Sequence, residues 1–334
     1  MMLYPLKFKP ILKNRIWGGS KLGTLMNKAV KNDENIGESW ELSGLEGNES
    51  VVENGYLAGN TINELVEVYL DELVGQKVYD TFGQSFPLLF KFIDANDKLS
   101  VQVHPDDDMA QELYGTNGKT EMWYLIDAEK DAELYIGFDG EVDAKQCEEH
   151  IKNGTLADVL TVHKVKKGDA FFIPAGTVHA IGKGIILAEI QQSSDITYRL
   201  FDYDRKDKDG NKRELHLENA LNALHYEYKG EAIRQQPKEN VSTEIVKSNA
   251  FKTNILKLTK PTEYELGMRE SFTVFMCVEG SATIESEASA DLQNEHDTKV
   301  EISKGETVLI PSSLYSFSLT PGKEGATLLE IWIE

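Results

Sequence analysis

The chain has 334 residues, of which 35 are Lys or Arg and 56 are Asp or Glu, so its formal net charge is −21. This length allows two or three domains with full-sized cores. The acidity argues against nucleic acid and anionic membranes as partners, because both bind through a basic face. The two cysteines, Cys147 and Cys277, lie far apart and exclude a disulfide scaffold or a cysteine zinc finger.

The sequence favours a cytoplasmic location. No apolar run reaches the roughly 18 residues that a membrane span needs. The segment 1–7 lacks the long apolar stretch of a signal peptide. The small number of cysteines also fits a reducing compartment.

The first sixty residues are short apolar runs interrupted by Gly and Asn, which is typical of strands and turns. A helix is predicted next, over 61–75. Thr61 and Glu64 have the spacing of a capping box, apolar residues recur on one face, and Gly75 stands at the C-terminal cap.

Short strands dominate the rest of the chain. They are predicted over 86–93, 99–104, 121–126, 133–138, 162–165, 170–173, 185–191, 307–310, 315–319 and 326–333. Helices are predicted over 144–151 and 216–224, a charged hairpin or lid over 202–213, and a polar loop over 286–297. This pattern favours a β-sandwich or β-barrel over a parallel sheet. No glycine-rich nucleotide-binding motif is present.

The sequence contains an internal repeat. The pattern that runs from Lys167-Gly168-Asp169 through Ile173-Pro174 to His179 recurs from Lys304-Gly305-Glu306 through Ile310-Pro311 to Ser316. Upstream, the segment 121–128 resembles 273–280. We therefore predict two copies of one β unit, with an insertion in the first. Because Thr273 and Ser316 replace Glu121 and His179, any metal site of the first copy is expected to be lost in the second.

Four residues of the first copy form a candidate metal site. Gln102 and His104 lie on one face of a predicted strand, Glu121 lies on another strand, and His179 begins a third. Neutral imidazoles with a carboxylate are the usual ligands of a catalytic divalent metal.

Three cations accompany these ligands. Lys91 interrupts an apolar run, Lys119 precedes Glu121 by two residues, and Arg199 follows a polar segment. They could form a phosphate clamp, or each could pair with a surface carboxylate; the pattern alone leaves both interpretations open.

Three further residues have two interpretations each. Glu189 lies on a predicted strand with apolar neighbours, where it could be a general base or could support a metal-bound histidine. Trp17 and Trp40 lie in segments that contain glycines. Each could line a pocket or fill the core.

Four segments together resemble a known family. They are Leu99–Asp107 (LSVQVHPDD), Gly118–Tyr124 (GKTEMWY), Gly176–Gly182 (GTVHAIG) and Gln192–Arg199 (QSSDITYR). The combination is similar to the type I mannose-6-phosphate isomerases (phosphomannose isomerases) of the short bacterial form. The resemblance implies a mainly β fold of the cupin superfamily, with two cupin-like jelly-roll barrels and a few helical insertions. We predict a metal-binding domain over 1–227 and a barrel without metal ligands over 228–334.

The resemblance also implies a function. The expected enzyme is a zinc-dependent aldose–ketose isomerase that interconverts mannose 6-phosphate and fructose 6-phosphate through an enediol. By motif, the ligands of one zinc ion are His104, Glu121 and His179, with Gln102 as a fourth, and the catalytic arginine is Arg199. The substrate-binding residues implied by the same motifs are Lys91, Ser100 and Lys119. The expected partner is a small phosphorylated sugar.

Several alternatives stay open at this point. Glu189, zinc-bound hydroxide and Lys119 are all candidates for the base. A non-catalytic sugar-binding cupin would have no reason to keep the ligands, Arg199 and the lysines together. A non-haem iron cupin oxygenase uses a similar set of two histidines and one carboxylate.

Overall fold

The fold, taken from a computed structural model, is described here for residues 3–31, 34–206, 209–266, 269–286 and 298–334. The strands in these ranges are β1 (Leu6–Lys7), β2 (Ile11–Gly19), β3 (Ile36–Ser43), β4 (Leu88–Ala95), β5 (Val101–Val103), β6 (Glu121–Ala128), β7 (Glu133–Phe138), β8 (Leu160–Lys164), β9 (Ala170–Ile173), β10 (His179–Ile181), β11 (Ile185–Gln192), β12 (Tyr198–Phe201), β13 (Thr243–Lys247), β14 (Lys252–Leu258), β15 (Thr262–Glu265), β16 (Thr273–Ser286), β17 (Lys299–Ser303), β18 (Thr307–Ile310) and β19 (Ser316–Trp332). The helices are α1 (Lys21–Met26), α2 (Ile62–Val74), α3 (Gln76–Phe82), α4 (Asp107–Tyr114), α5 (Ala144–Asn153) and α6 (Leu217–Ala223), and a short 3₁₀ helix spans Leu156–Val159.

Two sheets enclose the region of the predicted site. One has the strand order β2-β3-β4-β11-β6-β9, and the other has the order β12-β5-β10-β7-β8. Apolar side chains from both sheets, such as Trp17, Leu125, Leu134 and Ile181, form one buried cluster between them. Inward side chains alternate along each strand, so the polar residues that share this face are brought into the space between the sheets.

The third sheet lies mainly in the C-terminal part of the chain. Its main order is β1-β18-β16-β19-β14-β13, with β15 and β17 added at β19 and β16. A large apolar cluster joins it to the outer face of the first sheet through residues such as Phe90, Ile190, Val274 and Ile331. Strand β1 pairs with β18, so the start of the chain completes the C-terminal sheet. The domain boundary between residues 227 and 228 stays a prediction.

The mainly β class is confirmed. The sheets are open and pack face to face, an arrangement consistent with the jelly-roll fold, rather than closing into the barrels that the sequence led us to expect.

The predicted helix over 61–75 is confirmed as α2. Thr61 caps it through the backbone N–H of Glu64, whose carboxylate accepts from the Thr61 N–H in return. Gly75 ends the helix at φ +91°, and a Cβ there would lie 2.3 Å from the Glu270 carbonyl oxygen, so a side chain does not fit. Helix α3 follows at once and was not predicted.

The register of the strands repeats between the two copies. Glu121 pairs with Ile173, as Thr273 pairs with Ile310 in the second copy. On the other side of the same strands, Trp123 pairs with Glu189, as Phe275 pairs with Glu330. This matched register supports the internal repeat, and it makes Glu330 the counterpart of Glu189.

Some local predictions differ from the structure. The predicted strand 99–104 is reduced to β5, and Pro105, which lacks a backbone N–H for pairing, follows soon after its end. The predicted strands 315–319 and 326–333 form one long strand, β19. In the charged run 202–213, a single bridge joins Lys206 and Lys212; residues 207–208 and most of the predicted loop 286–297 lie outside the described residues.

Within the described ranges, no helix has the length and apolar character needed to cross a membrane.

Candidate active site

The two facing sheets each contribute predicted ligands. In the five-stranded sheet, Gln102 pairs with His179 on one side and with Arg199 on the other. His104 follows two residues after Gln102. In the six-stranded sheet, Glu121 begins β6 beside Gln191 of β11. The residues that the sequence singled out on separate strands therefore meet between the sheets.

Three of the predicted ligands form a compact, buried group. The ligating atoms of His104, Glu121 and His179 all lie within 4.8 Å of one another. His104 Nε2 is 3.5 Å from Glu121 Oε2, and His179 Nε2 is 3.4 Å from Oε1. The Nδ1 atoms lie 2.8 Å and 2.9 Å from the carbonyl oxygens of Ile196 and Thr177. These carbonyls require protons on Nδ1, so both Nε2 lone pairs face the carboxylate.

The electrostatics of this group suit a divalent cation. Burial and the neighbouring Lys119 lower the pKa of His104 well below its usual value, and burial lowers the pKa of His179 to about 4. Burial also raises the pKa of Glu121 to about 7. Apart from an ion pair with Lys119, neither carboxylate oxygen of Glu121 accepts a hydrogen bond from the described residues. Two neutral imidazoles and an unsatisfied carboxylate fit a metal ion.

Gln102 lies at the edge of this group. Its Nε2 is 3.2 Å from His179 Nε2, and its Oε1 accepts from Ser100 Oγ at 3.3 Å. Rotation of the amide by half a turn would bring its oxygen towards the metal ligands.

The two predicted lysines lie inside the cavity and are paired there. Lys91 Nζ donates to Glu189 Oε1 at 2.7 Å and to Gln191 Oε1 at 2.5 Å. Lys119 Nζ lies 3.2 Å from Glu121 Oε2 and 3.1 Å from His104 Nε2. Carboxylate pairing, one of the two interpretations of these lysines, is therefore observed, but in the interior rather than at the surface.

Glu189 is held between two donors. Lys91 bonds to Oε1, and Trp123 Nε1 donates to Oε2 at 3.0 Å. Burial opposes the ionised form, but Lys91 outweighs it and lowers the pKa of Glu189. The support of the two histidines, which was one interpretation of this residue, is supplied by backbone carbonyls instead.

Lys91, Gln102, Lys119 and Glu189 border a cavity of about 500 Å³. Trp17 and Trp40, which the sequence placed either in a pocket wall or in the core, are both buried and both line it. The charged or polar lining residues that the sequence did not single out include Lys13, Arg15, Glu38, Asn48 and Arg213. The signal available for Lys13 and Arg15 was their alternation along the segment just before Trp17, which the structure shows to be β2.

Glu38 shows how closely these lining residues are coupled. Arg15 binds its carboxylate through Nε at 3.1 Å and Nη2 at 2.9 Å, and Trp40 Nε1 donates to it at 2.7 Å. Burial alone would raise the pKa of Glu38, but Lys91 and Arg15 lower it to about 2. Glu38 is therefore a fixed negative charge in the wall of the cavity.

Comparison with known proteins agrees with this fold. The sequence model of the family "Phosphomannose isomerase type I, catalytic domain" matches residues 5–136. The mannose-6-phosphate isomerase ManA of Bacillus subtilis (strain 168) is 45% identical over 225 residues, which are 67% of this chain and 69% of that protein. The mannose-6-phosphate isomerase of Streptococcus mutans is 43% identical over 67% of this chain and 68% of that protein.

A solved structure gives the same result over nearly the whole chain. The crystal structure of the mannose 6-phosphate isomerase from Bacillus subtilis matches with a TM-score of 0.83 and 30% sequence identity. The match covers 98% of this chain and 99% of that one. The chain therefore belongs to the type I phosphomannose isomerase family and is an enzyme.

Proposed function

We propose that this enzyme interconverts mannose 6-phosphate and fructose 6-phosphate, with zinc as its metal and an enediol as the intermediate. The observation that carries the proposal is the buried group of His104, Glu121 and His179 beside a cavity rich in cations. The two relatives described above carry the name of this isomerase.

We propose His104, Glu121 and His179 as the zinc ligands, with Gln102 as the fourth. When bound there, zinc would act as a Lewis acid and stabilise negative charge on the sugar oxygens during proton transfer. The histidines are prepared for this role because their Nδ1–H groups are held by backbone carbonyls.

Arg199 is the proposed catalytic arginine. Its strand position is paired with that of Gln102, and its side chain lines the cavity. A fixed positive charge there would stabilise the oxyanion that develops as the proton leaves carbon. Ser100, Lys91 and Lys119 are proposed to contact the sugar in the same cavity.

Glu189 is our proposed base, because its carboxylate is ionised and lines the cavity. Lys119 is one of the alternatives named above. With zinc retained, Glu189→Gln should abolish exchange of the hydrogen on sugar carbon 2 with solvent D₂O. If exchange continues at the wild-type rate, the base is another residue.

A coupled assay tests the whole proposal. The purified chain should convert mannose 6-phosphate to fructose 6-phosphate, lose this activity in a chelator and regain it with zinc. Inactivity with zinc present would contradict the proposal, and the non-catalytic sugar-binding cupin would replace it. Oxygen uptake with iron bound would instead support the oxygenase alternative. The cytoplasmic location stays a prediction.

A further inference from the structure

The cavity concentrates positive charge in a protein whose formal net charge is −21. Among the described residues, six lysines and arginines line it against three carboxylates. The cations are Lys13, Arg15, Lys91, Lys119, Arg199 and Arg213, and the carboxylates are Glu38, Glu189 and Asp195. An acidic protein that gathers cations at one concave surface favours an anionic ligand there.

Four of these cations already have carboxylate partners. Lys91 and Lys119 are paired with Glu189 and Glu121 at the metal-ligand end. Arg15 forms a two-point contact with Glu38. Arg213 forms a similar two-point contact with Asp202. Their charges are therefore largely compensated before any ligand enters.

Lys13 is different. Its Nζ bonds to the neutral Asn48 Oδ1 and lies 4.5 Å from the centre of the Trp40 ring. In the part of the chain that the structure describes, no carboxylate oxygen lies within 4.0 Å of it. Burial and the positive charge of Arg15 lower its pKa, while Glu38 and Asp195 act in the opposite direction from farther away. The ammonium group of Lys13 is thus half-buried without an ion-pair partner.

Lys13 lies in a different part of the fold from the end of the cavity at which the proposed metal ligands lie. Lys13 lies on β2, opposite Glu38 of β3, whereas Glu121 lies on β6, four strands away in the same sheet. Both Lys13 and the ligand-end residue Gln102 border one continuous cavity. A sugar whose carbonyl end faces Gln102 would extend its far end towards another part of the wall.

We propose that Lys13 binds the phosphate group of the substrate, with Asn48 positioning its ammonium group. This inference rests on the proposed function, because it assigns one end of the proposed substrate. It transfers the main phosphate contact from Lys91 and Lys119, which are already paired, to a lysine that the sequence alone did not single out. An anion at this point would also relieve the repulsion between Lys13 and Arg15.

The test compares Lys13→Met with Lys13→Arg. A matched control is Lys31→Met, which removes the same charge from a lysine whose side chain is 80% exposed and does not line the cavity. Lys13→Met removes a charged hydrogen-bond donor to the phosphate. From the usual strength of such bonds, we expect the KM for mannose 6-phosphate to rise roughly tenfold to a hundredfold. Because the phosphate is remote from the reacting carbons, kcat should stay within about twofold. Lys13→Arg should recover most of the loss.

Two further measurements separate phosphate recognition from other effects. The activity on unphosphorylated mannose should be equal in the wild type and Lys13→Met. The zinc-loaded proteins are also titrated with inorganic phosphate by calorimetry. Lys13→Met should bind phosphate at least about tenfold more weakly than the wild type, which is the lower end of the range expected for KM. A free phosphate ion and a sugar phosphate share this chemistry, so both should respond.

The inference fails if Lys13→Met and Lys31→Met have equal KM values and equal phosphate affinity. It also fails if kcat falls while KM is unchanged, since Lys13 would then act in the chemical step. A wild-type protein that does not isomerise mannose 6-phosphate would refute the proposed function instead. In that case, the phosphate titration still decides whether Lys13 forms an anion site.

Discussion

Replacement of Glu121 by Gln distinguishes a metal ligand from a structural ion-pair partner. The carboxylate is buried, and burial raises its pKa from 4.5 to about 7 in the metal-free protein. The native state therefore keeps this proton over a pH range in which the unfolded chain has released it. As pH rises from about 4.5 to 7, the carboxylate thus lowers the free energy of unfolding.

The size of this effect follows from the two pKa values. Their difference corresponds to about 3 kcal/mol, fully developed above pH 7. A glutamine side chain at this position carries no such proton, so the free energy of unfolding of Glu121→Gln relative to the wild type should increase by about 3 kcal/mol across this range. The loss of the Lys119 ion pair changes the absolute value, so the pH-dependent difference is the informative quantity.

Zinc should offset most of this pH-dependent difference. At about a hundred times its Kd, zinc stabilises a protein that binds it only when folded by about 3 kcal/mol. The wild type should gain this free energy and Glu121→Gln should not. Urea unfolding at pH 5, 6, 7 and 8, with chelator or with zinc, measures both effects. Glu67→Gln is the control, because Glu67 is an exposed helix residue.

Two results would refute this reasoning. If the stability difference between Glu121→Gln and the wild type does not vary with pH, the carboxylate is not held near pKa 7 by burial. If Glu121→Gln binds zinc with the stoichiometry and affinity of the wild type, Glu121 is not a ligand.

Arg199→Lys keeps the positive charge but loses the planar guanidinium group with its paired donors. It should lower kcat by a factor of about 10²–10³, with zinc content and Tm little changed. If only KM changes, Arg199 is a phosphate anchor rather than a catalytic residue. Ser316 stands on an exposed strand end where the first copy has His179, so Ser316→Ala should leave kcat near wild type, and a roughly hundredfold drop would reveal chemistry in the second copy. Burial raises the pKa of the Cys147 and Cys277 thiols to about 12, so a thiol reagent at pH 8 should modify neither until the protein unfolds; native labelling would contradict their burial.

The second copy keeps the same strand pairing with different polar groups at the positions that match the proposed metal site. Glu330, the counterpart of Glu189, is fully buried and accepts from Arg269 Nη1 at 2.8 Å. The same Nη1 donates to Thr273 Oγ1 at 2.9 Å, and Thr273 is the counterpart of Glu121. An arginine from the chain thus satisfies the polar groups at the matched register, and no cation from solution is needed there.

Local pattern determined much of this protein. Thr61 and Glu64 predicted a helix start because a capping box involves residues only three apart. The repeat placed Glu121 and His179 in the same β unit, and the spacing of Gln102 and His104 on one short segment indicated two further candidate ligands. Such signals survive in sequence because each depends on neighbours along the chain or on a second copy of the same pattern.

Tertiary structure decided what each charge does. Lys91 and Glu189 are 98 residues apart, and only the register of β4 against β11 brings them to 2.7 Å. Lys13 was not distinguishable from other lysines, because the absence of a carboxylate partner for it among the described residues depends on strands and loops that pack around it from elsewhere in the chain. Ion pairing and burial are set by long-range packing, so sequence could identify the residue types of the site but not which cations remain available to a ligand.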